Sequence, residues 1–233
     1  MINTYVAIDL ETTGLNPAED RIIEIGAVKV IDGEIKDKVS TFINPMKTIE
    51  PRVTELTGIT QSMVSTAPCI DDVLGEIIEF TEGYVLLGHN ILFDYSFLNR
   101  AAVNAGRTFE RDGIDTLKIA RRLLPDIESR GLEYLCGYFS IDPGNSHRAL
   151  DDALSAMKLY GKLYELNGDD EGFWHAVKLE YKIKKQSPIT PRQIQYLAAL
   201  VEKHKIVLGV EIESLTKNEA SRHIDKILST YGR

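Results

Sequence analysis

The sequence has few cysteines and no long apolar run. Cys69 and Cys136 are the two cysteines among 233 residues, and neither belongs to a C-x-x-C pair. This usage is typical of a reduced cytosolic protein rather than of a disulfide framework or a zinc site. No apolar run approaches the roughly 18–20 residues that a membrane helix requires. The start, MINTYVAIDL, has no basic segment before its first strand. We therefore expect a cytoplasmic protein without a signal peptide or a membrane partner.

Positive charge is scarce in most of the chain, whose net charge is −8. Residues 1–177 hold 16 Lys and Arg against 29 Asp and Glu, whereas residues 178–233 hold 11 against 6. The net charge alone argues against a nucleic-acid-binding protein, but an acidic body with a basic tail is typical of a protein with an acidic partner such as nucleic acid. A solvated helical tail with spare lysines would give the same counts.

The hydrophobic pattern predicts an α/β domain. Three strands come first, at about 4–9, 21–30 and 38–44, and Asp32-Gly33 is a hairpin signal between the last two. Helical and strand patterns then alternate: a helix at 67–83, a strand at 84–90, a helix at 93–106, a strand at 113–117 with a helix to 122, and helices at 129–139 and 149–166. This order predicts a mixed five-stranded sheet flanked by helices, with its functional site at the strand ends.

We expect three parts along the chain: a domain at 1–168, a helical linker at 169–186 and a small basic helical module at 187–233. The two helices of the module begin at the capping boxes TPRQ (190–193) and TKNE (216–219). Such a module could hold DNA or RNA by its phosphates. A packing appendage or a polymerase-docking element is the equal alternative.

Two acids follow the first predicted strand. In VAIDLETTGL (6–15), Asp9 and Glu11 come directly after an apolar run, and their carboxylates project together because residues i and i+2 of a strand share a face. Burying both without a partner would be costly, and a hard divalent cation such as Mg²⁺ or Mn²⁺ is their natural partner. Two solvated acids in a surface turn are the alternative.

Further polar residues mark other element ends. Asp94, in GHNILFD, begins a helix just after a predicted strand, where an acid also suits the helix dipole. In SHRALDDALSAMKLY, five residues separate His147 from Asp152, which is about 140° around a helix. We therefore expect His147 in the loop and Asp152 in the first turn, although periodicity does not choose between Asp152 and Asp151. On a mixed sheet these places converge with the acids of the first strand.

These motifs resemble those of the DEDD superfamily of 3′→5′ exonucleases, in its histidine-using branch. AIDLETTGLNP is similar to the first family motif, LLGHNILFDYSFLNRA to the second and SHRALDDALSAMKLY to the third. ELTGIT (55–60) resembles a segment of the proofreading exonucleases of Gram-positive replicative DNA polymerases, and the epsilon subunits of bacterial DNA polymerase III are similar as well. The resemblance covers about residues 3–166 and implies a ribonuclease-H-like fold. Thr57 departs from the epsilon type, which often has a histidine at that position.

The resemblance also implies the site residues. The four metal-binding acids map, position by position, to Asp9, Glu11, Asp94 and Asp152. His147 matches the catalytic histidine, and its spacing selects Asp152 over Asp151. Substrate contacts map to Thr12, Thr13, Gly14, Leu15, Asn90 and Phe93. The implied cofactors are two divalent cations, Mg²⁺ or Mn²⁺, which stabilise the attacking and leaving oxygens of a phosphodiester, while a neutral histidine accepts the proton of the attacking water.

The expected function is a metal-dependent exonuclease that releases 5′-mononucleotides from DNA 3′ ends. Single-stranded DNA is the favoured substrate, and a DNA polymerase is a candidate partner. One alternative is an RNA-trimming exonuclease of the same superfamily, because the sugar contacts that separate RNA from DNA are not visible in one sequence. An alternative of another class is a non-catalytic nucleic-acid-binding or polymerase-docking module. Such a module has no need to keep all four acids and the histidine.

Overall fold

A computed structural model describes residues 1–168, 170–183 and 187–232 of the chain. Its strands are β1 (Tyr5–Thr12), β2 (Ile22–Ile31), β3 (Glu34–Phe42), β4 (Leu86–Gly88), β5 (Asp112–Asp115) and β6 (Val177–Lys178). Its helices are α1 (Pro51–Thr57), α2 (Gln61–Val64), α3 (Ile70–Phe80), α4 (Leu92–Asn104), α5 (Thr116–Leu123), α6 (Leu132–Tyr138), α7 (Ala149–Asn167), α8 (Pro191–His204) and α9 (Lys217–Tyr231). None of the helices described there is both long enough and apolar enough to cross a membrane.

The six strands form one mixed sheet in the order β3-β2-β1-β4-β5-β6. Strand β1 is central because it pairs antiparallel with β2 and parallel with β4. The predicted hairpin joins β2 to β3, and both turn residues, Asp32 and Gly33, have the positive φ values that a tight hairpin of this kind requires. Helices cover both faces of the sheet. Tyr5 and Ala7 of β1 pack in the hydrophobic core on the side of α7, whereas Val6 and Ile8 pack in the core on the side of α4.

The prediction of five strands and a helical linker at 169–186 is wrong in the described part of that segment. A 3₁₀ turn at 171–173 is followed by the sixth strand, β6, which pairs antiparallel with β5. Burial of Trp174 and Leu179 favours this extended path over a helix. Gly113 makes room for it, because a side chain there would lie 2.7–2.8 Å from Leu179. Residues 169 and 184–186 lie outside the described residues.

Beyond the linker, α8 and α9 pack on each other around a small hydrophobic core of their own. Both predicted capping boxes are present, with the Thr190 side chain accepting from the amide of Gln193 and the Thr216 side chain accepting from the amide of Glu219. Residues 187–232 hold 6 Lys and Arg against 5 Asp and Glu. The basic excess of the tail therefore lies mainly in the preceding segment, 178–186. Arg233 lies outside the described residues.

Candidate active site

Strand β1 holds two of the predicted acids rigidly at its carboxyl end. Residues 6–8 are fully buried in the middle of the sheet. Asp9 lies opposite Gly26 of β2, and Glu11 lies opposite Glu24. Because alternate residues of a strand share a face, the two carboxylates project together on the side of the sheet that α7 covers.

A glycine allows the start of α7 to reach these acids. A side chain at Gly26 would lie 2.1–2.4 Å from the backbone of Ala149 and Leu150, so only glycine fits this contact. Since Gly26 pairs with Asp9, the close approach brings the first turn of α7 over Asp9. That turn carries Asp152.

A buried ion pair fixes the same helix start. Glu24 is 1% exposed, and its carboxylate accepts a hydrogen bond from Nη2 of Arg148 at 2.8 Å and one from the amide of Ala149 at 3.2 Å. Removing one partner of such a pair leaves a buried charge uncompensated, which is strongly destabilising. Neither residue was predicted from the sequence, although a glutamate inside the apolar run IIEIGAV was a usable signal.

His147 lies in the loop before α7, as its spacing predicts. Its φ of 62° is in the left-handed region, which histidine tolerates better than most residues. Its amide donates to Oδ2 of Asp152 at 3.0 Å. One ligand atom from each of Glu11, His147 and Asp152 lies within 4.8 Å of the others. Asp151 points elsewhere, because its carboxylate accepts hydrogen bonds from Asn145.

Asp94 joins the cluster from the first turn of α4. It is 3% exposed, and its Oδ1 accepts a hydrogen bond from the amide of Leu10 at 3.0 Å. That bond ties α4 to β1 between the two acids of the strand. The structure therefore brings together all four predicted acids and the histidine.

Burial and mutual repulsion raise the pKa of every acid in the cluster. Burial and then the charge of Asp152 raise the pKa of Glu11 to about 7. Burial also raises the pKa of Asp152 to about 6. The pKa of Asp9 is raised well above its ordinary value by burial and then by the charge of Asp94, whose own pKa is raised in the same direction by burial. Carboxylate oxygens that share such a site suit a hard divalent cation.

The loop after β1 contains four of the predicted substrate contacts. Leu15 is 84% exposed at its tip, and the Thr12 hydroxyl donates to the carbonyl of Gly14 at 2.7 Å. The Thr13 side chain is 4% exposed, and its hydroxyl donates to Asp20 and accepts from the amide of Arg21. Thr13 therefore supports the loop from within.

The other two predicted contacts precede Asp94. Asn90 is exposed and has a φ of 72°, and its amide donates to Oδ1 of the buried Asp115 at 3.0 Å. Phe93 is half-buried, with its ring 5.1 Å from that of Phe97. Asp115 was not predicted from the sequence as a site residue. Its carboxylate caps α5 and also accepts the hydrogen bond that orients the Asn90 backbone.

The side chain of Thr57, the residue that departs from the epsilon pattern, is buried at the end of α1. It is 4% exposed. Its hydroxyl donates to the carbonyl of Val53 and accepts from the amide of Ile59. The residue therefore closes the end of α1.

Fold and site together define an α/β nuclease with an acid-rich centre at the carboxyl end of its central strand. Residues 6–160 match the Exonuclease family (RNase_T). The chain belongs to this family, and the predictions of a ribonuclease-H-like fold and of an exonuclease family are confirmed. Members of the family generally depend on a divalent metal.

Two relatives represent the sequence matches. The chain is 43% identical over 155 residues, 66% of its length, to the PolC-type DNA polymerase III of Clostridium perfringens, of which it spans 11%. It is 34% identical over 163 residues, 70% of its length, to the DNA polymerase III subunit epsilon of Aquifex aeolicus, of which it spans 81%.

Solved structures share the fold. Exonuclease X in complex with 5′-overhanging duplex DNA matches with a TM-score of 0.59 and 29% identity, over 72% of this chain and 96% of that chain. The nuclease domain of 3′hExo, a DEDDh family member bound to rAMP, matches with a TM-score of 0.62 and 22% identity, over 76% of this chain and 98% of that chain.

Proposed function

We propose that this chain removes 5′-mononucleotides one at a time from the 3′ end of DNA, with two divalent cations and a histidine general base. The observation that carries the proposal is the convergence of Glu11, His147 and Asp152 within 4.8 Å beside the other two acids. A non-catalytic docking module would have no need for this costly cluster of one buried and three half-buried carboxylates.

The donor set fits divalent cations. Asp9, Glu11, Asp94 and Asp152 would hold Mg²⁺ or Mn²⁺, since both prefer carboxylate oxygen. When bound, such ions would offset negative charge on the attacking and leaving oxygens and lower the pKa of water. The rigid core of β1 keeps the first two acids in place, while the Leu10 amide and the loop before α7 orient the other two.

His147 is suited to accept the proton of the attacking water. It stands in a loop rather than on a helix, and its backbone is fixed by the hydrogen bond to Asp152. A general base of this kind must be within hydrogen-bond reach of the water in its neutral form. The 3′-terminal nucleotide would lie between the Thr12–Gly14 turn and Asn90, with Leu15 and Phe93 against its base by sequence-tolerant packing.

We propose DNA as the substrate, since two relatives that are 43% and 34% identical to the chain, over 66% and 70% of its length, are DNA polymerase III proteins. The match to PolC-type enzymes covers a small part of their length, so cooperation with a DNA polymerase, in proofreading or repair, is also a proposal. Single-stranded or frayed termini are the favoured form. The free thiols of Cys69 and Cys136 fit the reducing cytoplasm in which replication proteins act.

A digestion assay tests the proposal. A 5′-labelled single-stranded DNA should shorten stepwise from its 3′ end in Mg²⁺ or Mn²⁺ and stay intact in EDTA. Matched RNA and a duplex with a mismatched 3′ end, digested in parallel, separate DNA proofreading from RNA trimming. Faster digestion of the RNA would favour the exoribonuclease, and intact substrates in both metals would refute the nuclease assignment.

Metal binding should depend on pH, because the acids must lose protons first. The raised pKa values of Glu11, about 7, and of Asp152, about 6, mean that the metal-free protein loses stability as the pH rises through 6 and 7. Mg²⁺ affinity should increase over the same window, by at least about tenfold between pH 5.5 and pH 8.

The measurement is the melting temperature with and without Mg²⁺ across that range, with KCl at matched ionic strength as the control. We expect the Mg²⁺-induced rise to grow with pH while KCl produces no such trend. An Mg²⁺-induced rise in melting temperature that is the same at pH 5.5 and at pH 8 would contradict a metal site formed by these titrating acids.

A further inference from the structure

The C-terminal part of the chain packs against two segments, the one that follows β3 and the loop that follows β1. The amide of Thr48 donates to the carbonyl of Gly209, and the amide of Glu211 donates to the carbonyl of Met46. Beside these backbone contacts, Nη2 of Arg21 lies 2.6 Å from Oε1 of Glu219 on α9. We call residues 187–232 the C-terminal module and residues 12–21 the β1–β2 loop.

Arg21 connects the two through the backbone of the loop. Its carbonyl accepts from the amide of Thr13 at 2.8 Å, and its own amide donates to the Thr13 hydroxyl at 3.0 Å. Nη1 donates to the carbonyls of Glu19 and Asp20. One guanidinium thus binds the end of the loop on one side and Glu219 on the other. Thr13 stands directly between Thr12 and Gly14, which form the proposed nucleotide seat.

Asp20 supports the same loop from within. Its carboxylate accepts from the Thr13 hydroxyl and from the amide of Asn16. Gly14 packs on this carboxylate so closely that a side chain there would lie 2.4–2.7 Å from it. The loop is therefore a compact unit, and a displacement of Arg21 would be transmitted to the Thr12–Gly14 turn.

Glu219 is buried at the contact between the C-terminal module and the β1–β2 loop. It is 6% exposed, and besides the ion pair it accepts from the amide and the hydroxyl of Thr216 at the start of α9. Burial alone would raise the pKa of Glu219, but the charge of Arg21 and the Thr216 hydrogen bonds lower it overall. The second ion pair between the same segments, Arg222 with Glu19, is half-exposed on both sides, so it is worth little.

We propose that the C-terminal module is a positioning element of the nuclease site: through the Glu219–Arg21 pair it holds the β1–β2 loop in the conformation that seats the 3′-terminal nucleotide. This inference rests on the proposed function of that loop. Arg21 and Glu219 act here as positioning residues, since Arg21 binds the backbone of the loop and Glu219 acts through Arg21.

The test variant is Glu219→Gln, which removes the charge and keeps the cap. Glutamine serves at this position of a capping box, and Gln193 does so in the box that begins α8. The matched control is Arg222→Gln, which breaks the exposed pair between the same two segments. Because neither change touches the acid cluster, metal binding should be unchanged in both.

For Glu219→Gln we expect the KM for single-stranded DNA to rise about five- to tenfold, with kcat within about twofold of the parent. Amide hydrogen exchange in peptides covering residues 13–21 should become faster. Arg21→Gln should have effects at least as large, because it also removes the hydrogen bonds to the carbonyls of Glu19 and Asp20. The double variant should be no worse than Arg21→Gln alone, because the pair acts as a unit. Arg222→Gln should match the parent in KM and in exchange.

Two results would overturn the inference: Glu219→Gln with the parent KM and exchange rates, or a lower melting temperature with KM and loop exchange unchanged. The second result would make the module a packing appendage. If the parent protein digests neither DNA nor RNA, the proposed function fails instead, and the exchange measurement still reports whether α9 controls the loop.

Discussion

Replacing Asp9 with Asn should lower kcat/KM for 3′-end digestion at least about a thousandfold, which corresponds to about 4 kcal/mol of transition-state stabilisation. The amide keeps the shape of the side chain but removes the charge that would hold a divalent cation. Asp9 projects from the buried core of β1 beneath the first turn of α7.

The same substitution should raise the melting temperature of the metal-free protein by a few degrees near pH 8. The reason is the raised pKa of Asp9, which shows that folding disfavours its charged form, because of burial first and then the charges of the neighbouring acids. A neutral side chain removes that penalty. Stability and activity should therefore change in opposite directions, which a variant that merely damaged the fold would not show.

Asp151→Asn is the matched control for Asp9→Asn. Asp151 is next in the chain to a predicted metal ligand, but its carboxylate binds Asn145 in the loop before α7. We expect activity within a few-fold of the parent and no increase in stability. Undiminished digestion by Asp9→Asn would rule out the metal-site assignment.

The sequence predicted those parts of the site that depend on local pattern. The alternation in β1 places Asp9 and Glu11 on one face, and the spacing of His147 from Asp152 requires a loop histidine. Both expectations agree with the structure. Helical periodicity could not decide whether Asp152 or Asp151 is the metal ligand. Adjacent residues in the first turn of a helix differ only in which residues of other segments they contact.

The parts that sequence reasoning missed depend on contacts between distant segments. Glu24 and Arg148 are 124 residues apart, and no local rule connects them. β6 was missed for the same reason, since a two-residue strand is defined by its partner β5 and by the space above Gly113 rather than by its own propensity. Local patterns thus predicted the acids, whereas the packing that orients them required the fold.

Replacing His147 with Asn should lower kcat about a hundred- to ten-thousandfold, the range that a general base contributes, and leave KM nearly unchanged. Asparagine is the suitable replacement because it also tolerates the left-handed backbone that His147 adopts at φ 62°. The amide hydrogen bond to Asp152 is made by the backbone and should therefore persist.

The same variant distinguishes two roles for His147, proton acceptor and metal ligand. Both are compatible with its position, since a ring nitrogen lies within 4.8 Å of ligand atoms of Glu11 and Asp152. If the histidine accepts a proton from water, the four acids remain intact, and Mg²⁺ should raise the melting temperature of His147→Asn as much as that of the parent. If the imidazole were itself a ligand, Mn²⁺ and Mg²⁺ affinities would both fall, and Mn²⁺ affinity would fall further because it takes imidazole more readily than Mg²⁺ does. Isothermal titration with each metal decides between them. Because the cluster already offers oxygen donors from four carboxylates, we expect unchanged Mg²⁺ binding together with the loss of turnover, the combination that a proton acceptor predicts and a metal ligand does not.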